Sequence, residues 1–223
     1  MKSYLKEIKQ HPLFAGINPE DLSAMLDCLG YYTRSYKKGE IIILSEETVK
    51  CVGIILRGKV HMVKENDDGT QTLLVHMHQG ELFGETFACG SNRSSRVTFW
   101  AASSSHVLFL PFYKILHICT NACIFHHRLV ENMVRLLCDK NVQLMEKVEV
   151  SSRRTLRDKI ITYLRLQAER QRTTTFTIPL GRTELAEYLC ADRSSLSREL
   201  KKMEEDGLIS YHKNHFILGE KSS

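Results

Sequence analysis

The chain has 223 residues, of which 26% are charged, and carries a formal net charge of +5. That length suffices for two domains, each with a core of useful size, and no apolar run is long enough to cross a membrane. The N-terminal MKSYLKEIKQHPLF lacks the apolar stretch of a secretory signal, so the seven cysteines, an odd number without CxxC spacing, are expected to be reduced thiols in the cytoplasm.

In chain order, residues 22–29 read as a short helix. The first 110 residues are otherwise β in character. Ile41-Ile42-Ile43-Leu44 is a β-branched run, and residues 51–56 form a second run closed by Arg57-Gly58. Residues 60–64 alternate in polarity, Asn66 to Gly69 make a hairpin turn, and residues 72–77 return. A turn-rich stretch covers Gly80 to Glu85, and residues 97–101 and 106–110 complete the set. Short strands separated by glycine-bearing turns predict a small barrel or jelly roll.

Residues 122–150 contain neither proline nor glycine. Leu129 or Val130, Met133, Leu137, Leu144 and Val148 recur at spacings of three, four and seven, which predicts a long helix with a seam for a partner helix. One phase slip falls near Lys140, and Lys140 or Asn141 could set register. Cys119, Cys123 and His126 or His127 share one face if the helix continues back through them. Thiolate and imidazole suit zinc, iron or haem, although this spacing equally fits packing by small apolar residues. His61, His76 and His78 on the strands are further candidates for a haem ligand.

Residues 156–171 read as an amphipathic helix, followed by a strand at 176–179. Leu185, Ala186 and Leu189 give residues 182–189 an apolar stripe, Cys190-Ala191 make a small turn, and Asp192 is a good N-cap for the next helix. That helix sets Leu196, Leu200 and Met203 against Arg193, Ser194, Ser197 and Arg198. Arginine can grip guanine O6 and N7 with two hydrogen bonds, and serine can bond bases or phosphates, so this face suits a DNA major groove. Two short β runs, 207–211 and 216–218, enclose His212 and Lys213 at a polar turn, as a wing does. Residues 151–223 hold 14 Lys/Arg against 10 Asp/Glu, whereas residues 1–150 hold 17 against 16. The positive excess lies in the segment expected to meet phosphates. No Ser/His/Asp, paired-carboxylate or P-loop arrangement occurs with its supporting context, which argues against an enzyme.

Lys38-Gly39-Glu40, Leu56-Arg57-Gly58-Lys59-Val60, Gly80-Glu81-Leu82-Phe83-Gly84-Glu85 and residues 182–209 resemble the Crp/Fnr family of bacterial transcription regulators, in order and over nearly the whole chain. The resemblance implies an α+β protein: an N-terminal β-roll (1–118), a long dimerisation helix (119–150) and a C-terminal winged helix-turn-helix (151–223). It further implies a homodimer that reads a near-palindromic operator on double-stranded DNA and works with RNA polymerase. Arg193, Ser194, Ser197 and Arg198 become base or near-base contacts. Arg182, Thr183, Lys201, His212 and Lys213 become phosphate contacts, which position the domain without reading sequence. Relatives carry glutamate where this chain has Ser194, so the preferred half-site is expected to depart from the usual TGA-containing one at that base pair.

Gly84-Glu85 and Arg93-Ser94 match the residue types that hold ribose and cyclic phosphate in cyclic-nucleotide-binding relatives. The loop between them is shorter, however, and residues 139–145 lack the Thr-Ser pair that meets adenine, which argues against cyclic AMP. No cysteine precedes Cys28, which argues against an N-terminal iron–sulfur cluster. Haem, another metal, thiol oxidation or a small organic effector remain open as the signal. The alternative is a nucleotide-binding-like module that acts through protein contacts instead of DNA.

Overall fold

The computed structural model describes residues 5–66, 68–116 and 124–219. The chain divides into two compact units, Met1–Leu136 and Leu137–Ser223.

The first unit opens with helix α1 (Leu5–Gln10), a 3₁₀ turn (Pro12–Phe14) and α2 (Pro19–Leu29). Pro19 sits at the start of α2, where its missing N–H costs nothing, and Gly30 ends the helix in the left-handed conformation. Eight strands follow: β1 (Tyr32–Tyr36), β2 (Ile41–Ile43), β3 (Cys51–Arg57), β4 (Val60–Glu65), β5 (Gln71–Met77), β6 (Leu82–Phe83), β7 (Thr98–Ala101) and β8 (Ser105–Pro111). The short helix α3 (Glu85–Ala88) lies between β6 and β7, and α4 (Phe112–Leu116) follows β8. The strands form two four-stranded antiparallel sheets, ordered β1-β8-β3-β6 and β2-β7-β4-β5. Strand β1 was not legible in the sequence, because four of its five residues are exposed and no apolar alternation marks it.

Aromatic rings join the two sheets. Phe83 of the first lies 5.3 Å from Phe99 of the second and 6.3 Å from Phe109 of its own sheet. Gly53 makes this possible, since a Cβ there would come within 2.4 Å of the Phe83 ring. Gly58, at φ 91°, turns β3 into β4 and leaves no room for a side chain beside Ser104 and Ser105.

Helix α5 (Ile124–Ser151) belongs to both units. Within the first, Asn132 is buried and its amide donates to the Leu13 and Ala15 carbonyls at 3.0 and 2.9 Å, while Arg128 donates to Gly16 at 3.1 Å. Leu129 and Met133 are buried within the single chain. This corrects the expected seam, which set Met133 and either Leu129 or Val130 against a partner: Leu129 and Met133 are already buried in the N-terminal unit, and Val130 is half-buried.

The second unit holds the rest of α5, α6 (Leu156–Gln171), β9 (Thr175–Thr177), α7 (Arg182–Tyr188), α8 (Arg193–Glu205), β10 (Ile209–His212) and β11 (His215–Leu218). Thr155 caps α6, its hydroxyl accepting the Asp158 amide. The three strands pair antiparallel in the order β10-β11-β9. One core of Ile160, Tyr163, Leu164, Phe176, Leu185, Leu196, Leu200, Met203 and Phe216 ties helices to sheet, and Val150 of α5 is part of it. Each such burial stabilises by about 1.5–3 kcal/mol. Among the described residues no helix is long and apolar enough to cross a membrane, and Cys28, Cys51, Cys89, Cys138 and Cys190 are unbridged.

Candidate nucleic-acid interface and effector region

Helix α7 begins at Gly181, whose N–H is accepted by the Glu184 carboxylate at 2.7 Å. It ends in a Schellman turn: Ala191 N–H bonds the Ala186 carbonyl at 2.9 Å and Cys190 N–H bonds Glu187 at 3.1 Å. Cys190 takes the left-handed position with φ 51°, which glycine more often fills. Two lysines cover the carbonyls at this helix end. Lys147 donates to Tyr188 and lies 4.1 Å from its ring centre, and Lys159 donates to Leu189 at 3.3 Å. Burial pulls the Lys147 ammonium below the usual lysine pKa.

Helix α8 begins at Asp192 in extended backbone, but the carboxylate makes no cap hydrogen bond. The expectation was that this side chain would cap the helix. The residue holds the place through its backbone alone, its carbonyl accepting Leu196 N–H at 2.9 Å. Leu196, Leu200 and Met203 face the core at spacings of four and three. Arg193, Ser194, Ser197, Arg198 and Lys201 are all exposed on the remaining surface. The Ser197 hydroxyl donates to the Arg193 carbonyl at 2.9 Å, and Arg198 lies back along α8 with its Nε 3.4 Å from the Ser194 carbonyl. Both are local, solvent-side contacts that a ligand can replace.

The helix is clamped from behind. Arg157 of α6 reaches Glu199 and Asp206, each at 2.6 Å, so one guanidinium bridges the middle and end of α8. The wing carries His212 and Lys213 exposed at its tip, with Lys213 at φ 54°. Arg182 is half-buried. Its guanidinium lies 5.0 Å from the Tyr211 ring centre and donates to the Lys213 carbonyl at 3.2 Å, bracing the start of α7 to the wing. Thr183 beside it is exposed.

Along α5 the exposed apolar positions are Val134, Val142, Leu144, Met145 and Val148, and Val134, Leu144 and Val148 align with half-buried Val130 and Leu137. With exposed Asn141 they fall at spacings of 4, 3, 4, 3 and 4, an unbroken heptad stripe with no slip.

In the β-roll, Gly84 at φ 76° starts α3 and Glu85 is buried. Arg93 is exposed, its carbonyl accepting Val49 N–H at 2.8 Å. The Ser94 hydroxyl donates to the Glu46 carbonyl at 3.1 Å.

These elements have counterparts. The chain matches the cyclic nucleotide-binding domain over residues 33–122 and the Crp-like helix-turn-helix domain over residues 158–220. It is 24% identical over 226 residues to the transcriptional activator protein FnrL of Cereibacter sphaeroides, covering 95% of this chain and 85% of FnrL. It is 24% identical over 204 residues to the cyclic AMP receptor protein of Thermus thermophilus, covering 91% of this chain and 89% of that one. The chain belongs to the Crp/Fnr family of DNA-binding transcription regulators. A CooA variant from Carboxydothermus hydrogenoformans shares the fold, with a TM-score of 0.61 and 17% identity over 88% of this chain and 90% of that one.

For this Crp/Fnr chain, Cys119 and Cys123 lie outside the described residues. His126 is within them and buried. Among the described residues no three histidines, cysteines or carboxylates converge as a metal centre. Sequence reasoning passed over Arg157, Lys147 and Lys159. Arg157 meets its partners 42 and 49 residues away, and no local pattern announces a contact of that range.

Proposed function

We propose that this regulator works as a homodimer in which each α8 enters a major groove and reads one half of a near-palindromic operator. The division of α8 into a buried Leu196/Leu200/Met203 face and an exposed Arg193/Ser194/Ser197/Arg198 face carries the reading. A helix that packs with one side and offers arginines with the other, held rigid by Arg157, is suited to base readout. Arg193, Ser194, Ser197 and Arg198 take base-edge roles. Thr183, Lys201, His212 and Lys213 take phosphates, and Arg182 positions the wing while presenting its charge nearby.

Pairing along Val130, Val134, Leu137, Asn141, Leu144 and Val148 supports a two-stranded parallel coiled coil. In this reading residues 1–118 receive the signal, residues 119–150 pair the subunits and residues 151–223 bind DNA. The signal remains unidentified: a small effector, haem or another metal, or a redox change. Gly84, Glu85, Arg93 and Ser94 are the candidate effector contacts, and cyclic AMP is not the effector favoured by this reading. Signal binding shifts the population between dimer arrangements that match or miss the half-site spacing. A dimer on promoter DNA would meet RNA polymerase, and the unbridged thiols fit a cytoplasmic setting.

Selection of DNA sites from a random pool by the full chain tests this reading. Two inverted half-sites about one helical turn apart are expected. Recovery of sites without an inverted repeat, or of no preferred sequence, would overturn it.

A further inference from the structure

One row of side chains crosses all four strands of the second β-roll sheet. Ile41 pairs with Trp100, Trp100 with His61, and His61 with His76. Their neighbours Val60, Met77 and Ala101 are buried. Strand alternation therefore puts the row on the outer face of the sheet, away from the interior. His61 Nε2 and His76 Nδ1 are 2.9 Å apart, one imidazole donating and the other accepting. The Trp100 ring lies edge-on to His61 with centroids 5.2 Å apart and walls the pair on one side. On the other side β5 is the edge strand, with residues 71–75 all exposed, so the pair is open to solvent there.

We propose that His61 and His76 form a binding site for a divalent transition-metal ion of the nickel, copper or zinc type. Two imidazole nitrogens on one such ion, each about 2.0–2.1 Å from it, stand about 2.9–3.4 Å apart in square or tetrahedral arrangements. The observed separation already lies at that value, and the ion enters once the two rings turn so that both lone pairs leave the line of the hydrogen bond and meet on the metal. Imidazole is a preferred ligand for these metals. The ion binds His61 through Nε2 and His76 through Nδ1. The imidazole that holds the shared hydrogen carries it on its other ring nitrogen when the ion is bound, which frees the lone pair for the metal. Among the described residues no group of three His, Cys, Asp or Glu converges as a metal centre, so the two imidazoles are the ligands assigned here. This site shares no residue with the Cys119/Cys123/His126 candidates or with the Gly84-to-Ser94 region.

Trp100 is the chain's only tryptophan, so its emission reports this site alone. The test is titration of the full chain with Ni²⁺, a paramagnetic quencher. Saturable quenching at one ion per chain is expected, lost in His76→Gln and kept in His78→Gln, whose side chain is outside the pair. Quenching that never saturates, or that survives His76→Gln, overturns the site. A second measurement needs no substitution. In ¹⁵N-histidine-labelled wild-type protein, Zn²⁺ should shift one Nε2 and one Nδ1 to metal-bound values, the Nδ1 being the distinctive member. Shifts confined to Nε2 positions, or none, would equally overturn it.

Discussion

Arg198 and Lys201 are three positions apart on one exposed surface of α8, yet they should fail differently when removed. Arg198→Ala should cost about 1–3 kcal/mol on the preferred operator and little on one altered at the base it reads. Lys201→Ala should weaken every sequence alike and lower the salt slope by about one. Anisotropy titrations against substituted operators at several salt concentrations separate the two, and equal losses on every sequence from both mutants would remove Arg198 from base reading. Away from α8, burial and then the Arg57 guanidinium hold the His106 pKa below the usual histidine value of 6.5. The unfolded chain therefore binds the proton more readily. The stability carried by neutral His106 is present above pH of about 6.5 and is lost as pH falls through its lower folded value. His106→Gln should flatten the acid limb of stability against pH in denaturant titrations. An unchanged limb would mean that other groups set it.

The stripe on α5 is a property of an element, and its polar member has a distinct role. Asn141 stands at the position of an apolar seam where a buried amide favours two parallel strands in one register, at some cost in stability. Asn141→Val should raise the temperature of dissociation while admitting other assemblies, seen as added species in sedimentation velocity. A variant that stays a single dimer of unchanged stability would place Asn141 outside the seam. The expected seam opened on Leu129 or Val130 and ran through Met133, whereas the observed stripe runs through Val130 and Val134. Leu129 and Met133 are as apolar as Val130 and Val134, so periodicity could not choose between them. Docking of residues 11–16 on α5 chooses, by burying Leu129 and Met133 while Val130 stays half-buried and Val134 exposed.

For the molecule as a whole, dimerisation and DNA binding should rise and fall together. Leu144 is 62% exposed in the single chain and far from α8 in sequence. Leu144→Asp should leave each unit folded, shift the protein to monomer and lower operator affinity by about a hundredfold or more, because the second half-site then no longer binds as part of one particle. Circular dichroism, sedimentation and anisotropy on the same preparation would check it. A monomeric variant with undiminished affinity would show that one subunit suffices.

Much of the architecture was legible before any coordinates. The short β runs, the proline-free long helix, the Leu196/Leu200/Met203 spacing and the arginines between them are periodic or local features, and hydrophobic periodicity is written directly in sequence. The exposure of Arg193, Ser194, Ser197 and Arg198 was legible for the same reason, since a helix that must bury one face exposes the other. What only tertiary structure decided depends on residues distant in the chain. Arg157 finds Glu199 and Asp206, Arg182 turns from a free cation into a brace on Tyr211, and β1 becomes a strand by pairing with β8. His61 and His76 become neighbours because the β4–β5 register sets them opposite each other. Sequence states which side chains are available and at what period, but a contact between distant segments also needs the register and packing that the whole fold supplies.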